Sequence, residues 1–173
     1  MERLAIVYFP GINLEAINKF RQKHDPNWAI IKPHITLVFP ISGISEEQLV
    51  NHLEPLTKEV KPFPISLNGL IKSFDNYLFL QVKEGYQEII ELHDKLYTEM
   101  PVLCLRDDIQ FIPHITLGYF GAEDNEFNKE LYNKAYTEAV KMKININCIF
   151  NNLTLIKGDE AFPAKVVKSF NLT

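Results

Sequence analysis

The stretch PHITLVFP, residues 33–40, and the stretch PHITLGYF, residues 113–120, begin with the same five letters. His34 and His114 are therefore 80 positions apart, and a threonine follows each of them after one isoleucine. A repeated strand needs to reproduce only an apolar pattern, whereas this repeat also keeps His and Thr. The repeat predicts that the chain has two related halves and that the repeated residues carry chemistry.

Each repeat has the β-branched and apolar composition of a strand. Side chains alternate between the two faces of a strand, so His34 and Thr36 face one way and Ile35 faces the other. The same alternation applies to His114 and Thr116. We expect two such strands, one from each half, to line a single cleft with two imidazoles and two hydroxyl groups.

The segments that flank the repeats have matching orders of elements. Strand, helix, motif strand, helix and strand follow one another in each half. We expect a single domain over residues 1–173, made of two pseudo-symmetric lobes at approximately 1–74 and 75–173. The expected fold class is α+β and bilobal, with two antiparallel sheets facing a central cleft and helices outside.

Local signals place several element boundaries. Ser45 and Gln48 match a capping box at the start of a helix whose apolar pattern runs to Val60, and Pro55 should kink or shorten that helix. Asp75-Asn76 indicates a hairpin turn between two strands. A single strand near Cys148–Lys157 is expected before the last turn of the chain.

Composition and charge restrict the classes of function. The 173 residues are 46% hydrophobic and 23% charged, as in ordinary globular proteins, and the formal net charge is −4. This charge disfavours a protein that coats long nucleic acid, although it permits a site for one or two phosphates. The sequence contains neither a run of about 18 apolar residues nor a signal-peptide pattern, so we expect a cytoplasmic protein outside the membrane. Cys104 and Cys148 match no zinc or CxxC spacing, and reduced thiols are the default interpretation, with a disulfide as the alternative.

The repeated residue types suit one kind of chemistry. Imidazole is the side chain best able to exchange protons near neutral pH, and a pair can act as base and acid in an in-line displacement at phosphorus. Thr36 and Thr116 can donate hydrogen bonds to the non-bridging phosphate oxygens. No Asp, Glu or Cys accompanies His34 or His114 at the spacing of metal ligands, so we expect no metal and no other cofactor.

Residues outside the repeats are candidates for weaker roles. Four of them could contact a substrate, by stacking on a nucleobase or attracting an anion, with core packing or a surface position as the alternative: Tyr8, Phe39, Tyr119 and Arg106. His52 and His93 fall on predicted helices, where packing or surface roles are expected rather than catalysis.

Paired HxT strands in two similar halves resemble the two-histidine (2H) phosphoesterase superfamily, which includes 2′-5′ RNA ligase-like proteins and cyclic phosphodiesterases. The resemblance is carried by HDPNWAIIKPHITL at 24–37 and by FIPHITLG at 111–118, and the order of elements agrees over essentially the whole chain. It implies a bilobal α+β fold with a central cleft. It also implies metal-independent chemistry on a 2′,3′-cyclic phosphate or a 2′-5′ phosphodiester.

Family roles fall on four residues of this chain. The resemblance implies that His34 and His114 are the acid–base pair and that Thr36 and Thr116 hold the phosphate. The leading hypothesis is a phosphoesterase whose partner is a nucleotide or RNA end with a cyclic phosphate or a 2′-5′ linkage, with no protein partner inferred. The alternatives are a nucleotide- or RNA-binding module with the same cleft but no turnover, and a structural protein whose motif strands merely pair. The acid and the base stay unassigned between the two histidines.

Overall fold

A computed structural model describes residues 3–98, 100, 110–121, 128–159 and 162–173. These residues form eight β-strands and four α-helices. In chain order the elements are β1 Arg3–Tyr8, α1 Glu15–His24, β2 Ile35–Ile41, α2 Glu46–Thr57, β3 Phe63–Lys72, β4 Tyr77–Val82, α3 Tyr86–Tyr97, β5 His114–Tyr119, α4 Lys129–Lys141, β6 Ile146–Phe150, β7 Asn152–Asp159 and β8 Phe162–Asn171. None of the helices in the described part of the chain has the length and apolar character needed to span a membrane.

All strands of the described residues belong to one antiparallel sheet, in the order β6-β3-β4-β5-β2-β1-β7-β8. Its two central strands, β2 and β5, carry the repeated motifs and are paired through Ile35 and Ile115. The mixed α and β class with antiparallel strands is confirmed. The two-sheet, bilobal description is not, because the Ile35–Ile115 pair joins both groups of strands into one sheet.

The sheet is curled. β6 and β7 lie far apart in the strand order, yet Asn151 alone separates them in the chain. The hydroxyl of Tyr8 in β1 donates a hydrogen bond to the carbonyl of Ile149 in β6 at 2.8 Å. The ring of Tyr8 also stacks on Phe150, with ring centroids 4.2 Å apart. The curled sheet therefore brings β6 back across the core to β1.

This curl corrects one prediction from the sequence. The strand expected near Cys148–Lys157 is two strands, because the chain leaves β3 and joins β1 at Asn151. β3 lies beside β4 and β6, whereas β1 lies beside β7, which in turn pairs with β8. Each group of strands thus combines segments from both parts of the chain, and a lobe boundary near residue 74 stays a prediction.

Local signals agree with the observed helix α2. The side chain of Ser45 accepts a hydrogen bond from the backbone of Gln48, and the side chain of Gln48 accepts one from the backbone of Ser45. The predicted capping box is therefore confirmed. Pro55 lies in the last turn, and the helix ends at Thr57, short of Val60. The buried leucines of this helix join the main core, which lies on the same side of the sheet as Ile35 and Ile115.

Candidate active site

The pairing of Ile35 with Ile115 determines how the two motifs meet. In antiparallel strands, the residue before one partner lies opposite the residue after the other. This register therefore places the histidine of each motif beside the threonine of the other motif. Ile35 and Ile115 are both 0% exposed and point into the core. The histidines and threonines that flank them thus point to the opposite face of the sheet, which we call the motif face.

The structure brings together the four residues singled out by the repeat. His34, Thr36, His114 and Thr116 are all partly exposed, in contrast to the isoleucines between them. The two histidines are diagonal neighbours, which are typically about 7–8 Å apart, with their Cβ atoms somewhat closer. That separation leaves room for one tetrahedral group between the rings. The catalytic and phosphate-holding roles of the four residues stay predictions.

The two imidazoles form the same kind of hydrogen bond with the backbone. Nδ1 of His34 lies 2.8 Å from the carbonyl oxygen of Lys32, and Nδ1 of His114 lies 2.5 Å from that of Ile112. A carbonyl oxygen only accepts hydrogen bonds, so Nδ1 carries the hydrogen in each neutral ring. Nε2 is therefore the nitrogen left to exchange a proton with a ligand.

Burial is the main influence on the pKa of His34, which it lowers from 6.5 to about 4. The backbone hydrogen bond at Nδ1 and the charge of Asp25 oppose this shift, whereas Arg21 and His114 add to it. A positive charge on His114 therefore disfavours a positive charge on His34. His34 is therefore neutral near pH 7 when no anion lies between the rings.

Burial also lowers the pKa of His114 from 6.5 to about 4. Its backbone hydrogen bond and the charge of Asp75 raise the pKa but do not cancel the effect of burial. An anion between the rings would raise both pKa values, because it stabilises the imidazolium forms. The pair can therefore take up a proton together with an anionic ligand.

Strand β4 adds aromatic side chains beside His114. Phe79 pairs with Thr116 and Tyr77 pairs with Tyr119, so these side chains share the motif face. The ring of Phe79 stacks on that of His114 with centroids 3.6 Å apart and planes at 24°. Tyr77 continues the row, with its centroid 5.8 Å from Phe79 and 4.6 Å from Tyr119. Of these three residues, only Tyr119 is predicted from the sequence as a possible substrate contact.

A β-bulge brings Tyr119 to the motif face. Tyr119 lies three positions after Thr116, so simple alternation would point it into the core. Between Leu78 and Phe79 the register advances by one residue in β4 and by two in β5. This extra residue reverses the alternation. In the sequence, Tyr77 and Phe79 alternate with two leucines, which indicates that the two rings share one face of a strand, although nothing local connects that strand to the motif.

The other side of the motif face is mainly aliphatic. Val7 of β1 pairs with Thr36 and forms a small buried cluster with Ala5 and Ile156. Phe9 packs against this cluster, and its ring centroid lies 6.0 Å from that of His34. The surroundings of the two histidines therefore differ: among the described residues, the ring beside His114 is stacked on it, whereas the ring beside His34 is tilted.

A buried ion pair supports the segment that leads to His34. Nε and Nη2 of Arg21 lie 2.8 and 2.7 Å from Oδ2 of Asp25, and the two side chains are 2% and 3% exposed. Nη1 of Arg21 donates to the carbonyl of Ile31 at 2.9 Å, and Oδ1 of Asp25 accepts from the amide of Asn27 at 2.9 Å. The loop between α1 and β2 is thus fixed to the end of α1.

Among the other candidates, the structure describes Tyr8 and Phe39. Tyr8 is 1% exposed and pairs with Ile35, so it is a core residue and does not line the motif face. Phe39 packs edge-on against His93 and Phe111. Arg106 and Cys104 lie outside the described residues. Cys148 is a free, half-buried thiol.

Within the described ranges, no three His, Cys, Asp or Glu side chains are grouped so that they could hold a metal ion.

Comparison with known proteins identifies the family. A family model described as the 2′-5′ RNA ligase superfamily matches residues 10–161 of this chain. The chain belongs to this superfamily. The resemblance inferred from the paired HxT motifs is thereby confirmed.

Relatives of similar sequence exist within the 2′-5′ RNA ligase superfamily. A Bacillus licheniformis protein provisionally named a phosphoesterase is 34% identical over 129 residues, which cover 70% of this chain and 73% of the relative. A Bacillus cereus protein with the same type of name is 31% identical over 133 residues, which cover 72% of this chain and 73% of the relative.

Solved structures share the fold of this superfamily member. E. coli LigT complexed with 3′-AMP has a TM-score of 0.59 at 17% identity, covering 99% of this chain and 98% of LigT. LigT complexed with phosphate has a TM-score of 0.57 at 18% identity, with the same coverage. Usb1 of Kluyveromyces marxianus has a TM-score of 0.53 at 13% identity, covering 99% of this chain and 96% of Usb1. At these identities the likeness establishes the fold.

Proposed function

We propose that this member of the 2′-5′ RNA ligase superfamily is a metal-independent phosphoesterase. Its substrates would be 2′,3′-cyclic phosphates or 2′-5′ phosphodiester linkages of nucleotides or RNA ends. The two histidines would act as general acid and general base. The observation that carries the proposal is the Ile35–Ile115 register, which sets two imidazoles and two hydroxyls on one face. The cytoplasm is the proposed location, on the evidence of the sequence alone.

The reaction assigns opposite tasks to the two imidazoles. The neutral ring takes a proton at Nε2 from a water molecule while the water oxygen forms a bond to phosphorus. The bond from phosphorus to the leaving ribose oxygen breaks, and the protonated ring donates its proton to that oxygen. Thr36 and Thr116 donate hydrogen bonds to the non-bridging oxygens, where negative charge increases. In the reverse direction a ribose hydroxyl replaces water and the tasks of His34 and His114 exchange.

The surroundings of the pair support a nucleotide substrate. Tyr77, Phe79 and Tyr119 provide aromatic surface beside His114, and nucleobases stack on such surfaces without strong dependence on sequence. The names of the Bacillus relatives point to phosphoesters, and the LigT structures hold 3′-AMP or phosphate. The net charge of −4 favours a small substrate over a long nucleic acid.

The test is turnover of 2′,3′-cyclic nucleotides and 2′-5′-linked dinucleotides by purified protein, with and without EDTA. We expect product formation that EDTA leaves unchanged. His34→Gln or His114→Gln should lower kcat by at least about 10²–10⁴-fold, the usual contribution of general acid–base catalysis. Loss of all activity in EDTA, with recovery on adding a divalent ion, would contradict the mechanism.

The binding-module alternative predicts a different result from the same proteins. A binder would show affinity for nucleotides but release no product from any cyclic phosphate, and the two variants would lose only modest affinity. His52→Gln is the matched control, because His52 lies on α2 and bonds the carbonyl of Leu96 rather than a motif residue. It should retain the activity of the unmodified protein.

A further inference from the structure

The two motif strands need a support that the sheet itself does not provide. Among the described residues, the register of β2 with β5 contains only the pair Ile35–Ile115. A ladder of several pairs would fix the angle between the strands, whereas a single pair leaves that angle to other contacts. The separation of the two imidazoles depends on this angle.

Two side chains of helix α3 form hydrogen bonds with the backbone of β2 just beyond that pair. Nδ1 of His93 lies 2.6 Å from the carbonyl oxygen of Leu37, and the amide of Phe39 donates to the hydroxyl of Tyr97 at 3.1 Å. His93 and Tyr97 are one helical turn apart, so they face β2 together. Side chains of α3 therefore satisfy backbone groups of β2 that strand pairing would otherwise satisfy.

His93 also contacts the segment that leads into the second motif. Its ring lies face to face with that of Phe111, with centroids 3.7 Å apart and planes at 6°. Phe111 precedes His114 by three residues. The ring of Phe39 meets both His93 and Phe111 edge-on, at 6.4 and 6.3 Å. One imidazole is thus bonded to the first motif strand and stacked on the approach to the second.

We propose that His93 is a positioning residue that sets the separation of His34 and His114. The proposal rests on the proposed function, because a fixed separation matters when both rings must reach one phosphorus centre. His93 acts through the backbone at Leu37 and the ring of Phe111, and it takes no part in proton transfer. A displacement of about 1 Å in such a pair is enough to lower a rate about 10²-fold.

Two substitutions separate the two contacts of His93. His93→Phe keeps a flat ring against Phe111 but removes the donor to Leu37, and we expect kcat to fall about tenfold to hundredfold with a smaller change in KM. His93→Asn keeps an N–H donor near the position of Nδ1, and we expect it to recover part of that loss. Unchanged kcat in His93→Phe would overturn the proposal, as would an equal loss in both variants.

His52→Phe is the matched control. His52 is also a partly buried helical histidine, and its Nε2 lies 2.9 Å from the carbonyl oxygen of Leu96, which is not on a motif strand. We expect His52→Phe to lower Tm to a similar extent as His93→Phe while keeping kcat within about twofold of the unmodified protein. An equal loss of kcat in the two variants would make the effect of His93 one of general stability and would overturn the proposal.

A structural measurement separates this proposal from the proposed function. Crystal structures of the unmodified protein and of His93→Phe would give the distance between Nε2 of His34 and Nε2 of His114. We expect the distance to change in the variant, and affinity for inorganic phosphate to fall with it. An unmodified protein that turns over neither cyclic phosphates nor 2′-5′ linkages would refute the proposed function, while a changed distance would still support the role of His93. An unchanged distance would refute that role even in an active enzyme.

Discussion

The two motif histidines form equivalent hydrogen bonds with the backbone but have different neighbouring side chains. The ring of Phe79 lies on the face of His114 at 3.6 Å, and Asp75 raises the pKa of His114. On the other side, Arg21 lowers the pKa of His34, and its ion-pair partner Asp25 opposes this with a smaller effect. An aromatic face stabilises a cation, and a guanidinium opposes a second positive charge. We therefore expect the first proton that the pair takes up to reside on His114.

This expectation can be tested by following both imidazoles by NMR as the pH is lowered. Without a ligand, both rings should titrate near pH 4 rather than near 6.5. Inorganic phosphate should raise both midpoints, and that of His114 should become the higher one, because an anion favours the protonated rings. Phe79→Leu should lower the midpoint of His114 more than that of His34. Midpoints near 6.5 that do not respond to phosphate would contradict the burial of the pair in one site.

At the scale of elements, α1 and β5 are in close contact at Gly118. A Cβ atom there would lie 2.9 Å from both Cβ and the carbonyl oxygen of His24, at the end of α1. His24 in turn lies 3.3 Å, from Nε2 to Oε2, from Glu138 on α4. Gly118 follows Thr116 by two residues, so this contact holds the motif strand against two helices.

Gly118→Ala should destabilise the fold. The added methyl group meets the carbonyl oxygen and the Cβ atom of His24, which no side-chain rotation can move away, and overpacking of this kind costs about 1–3 kcal/mol. Urea unfolding would measure the loss, and turnover should fall as well because the strand that carries His114 must shift. Gly11→Ala is the control, since a Cβ at Gly11 would meet nothing within 4 Å. Equal unfolding free energies for the two variants would contradict the close contact at Gly118.

At the scale of the whole molecule, the fold lowers the pKa values of three imidazoles. Burial lowers the pKa of His34 and of His114 to about 4, and it also lowers the pKa of His93. In the unfolded chain these groups have pKa values near 6.5. Between those values the unfolded chain binds more protons than the folded protein does. The free energy of unfolding therefore falls as the pH decreases from about 6.5 towards 4.

The prediction is a loss of stability over this interval, measured by urea unfolding at a series of pH values without phosphate. A protein carrying both His34→Gln and His114→Gln should show a weaker dependence, because the carboxylates common to both proteins still titrate but the two imidazoles do not. Phosphate should stabilise the unmodified protein more at pH 5 than at pH 8. Identical pH dependence in the two proteins would show that these rings are not held neutral by the fold.

Much of this molecule follows from signals that are local in the chain. The capping box at Ser45 and the turn at Asp75-Asn76 involve residues within a few positions of one another, and Asn76 adopts the positive φ of 69° that such a turn uses. Alternation along a strand places His34 and Thr36 on one face, and duplication within one chain makes the second copy recognisable. These features depend on residues that are close together in the chain, so the local amino-acid sequence specifies them.

Other features depend on contacts between residues that are distant in sequence. The pairing of Ile35 with Ile115 decides that the two motifs share one face, and the curl of the sheet splits the last predicted strand at Asn151 and places Tyr8 in the core. The row of aromatic side chains on β4 and the contacts of His93 arise in the same way. Such contacts gain their stability from burial and hydrogen bonding after the chain has closed long loops, and no local pattern encodes which distant partners will meet.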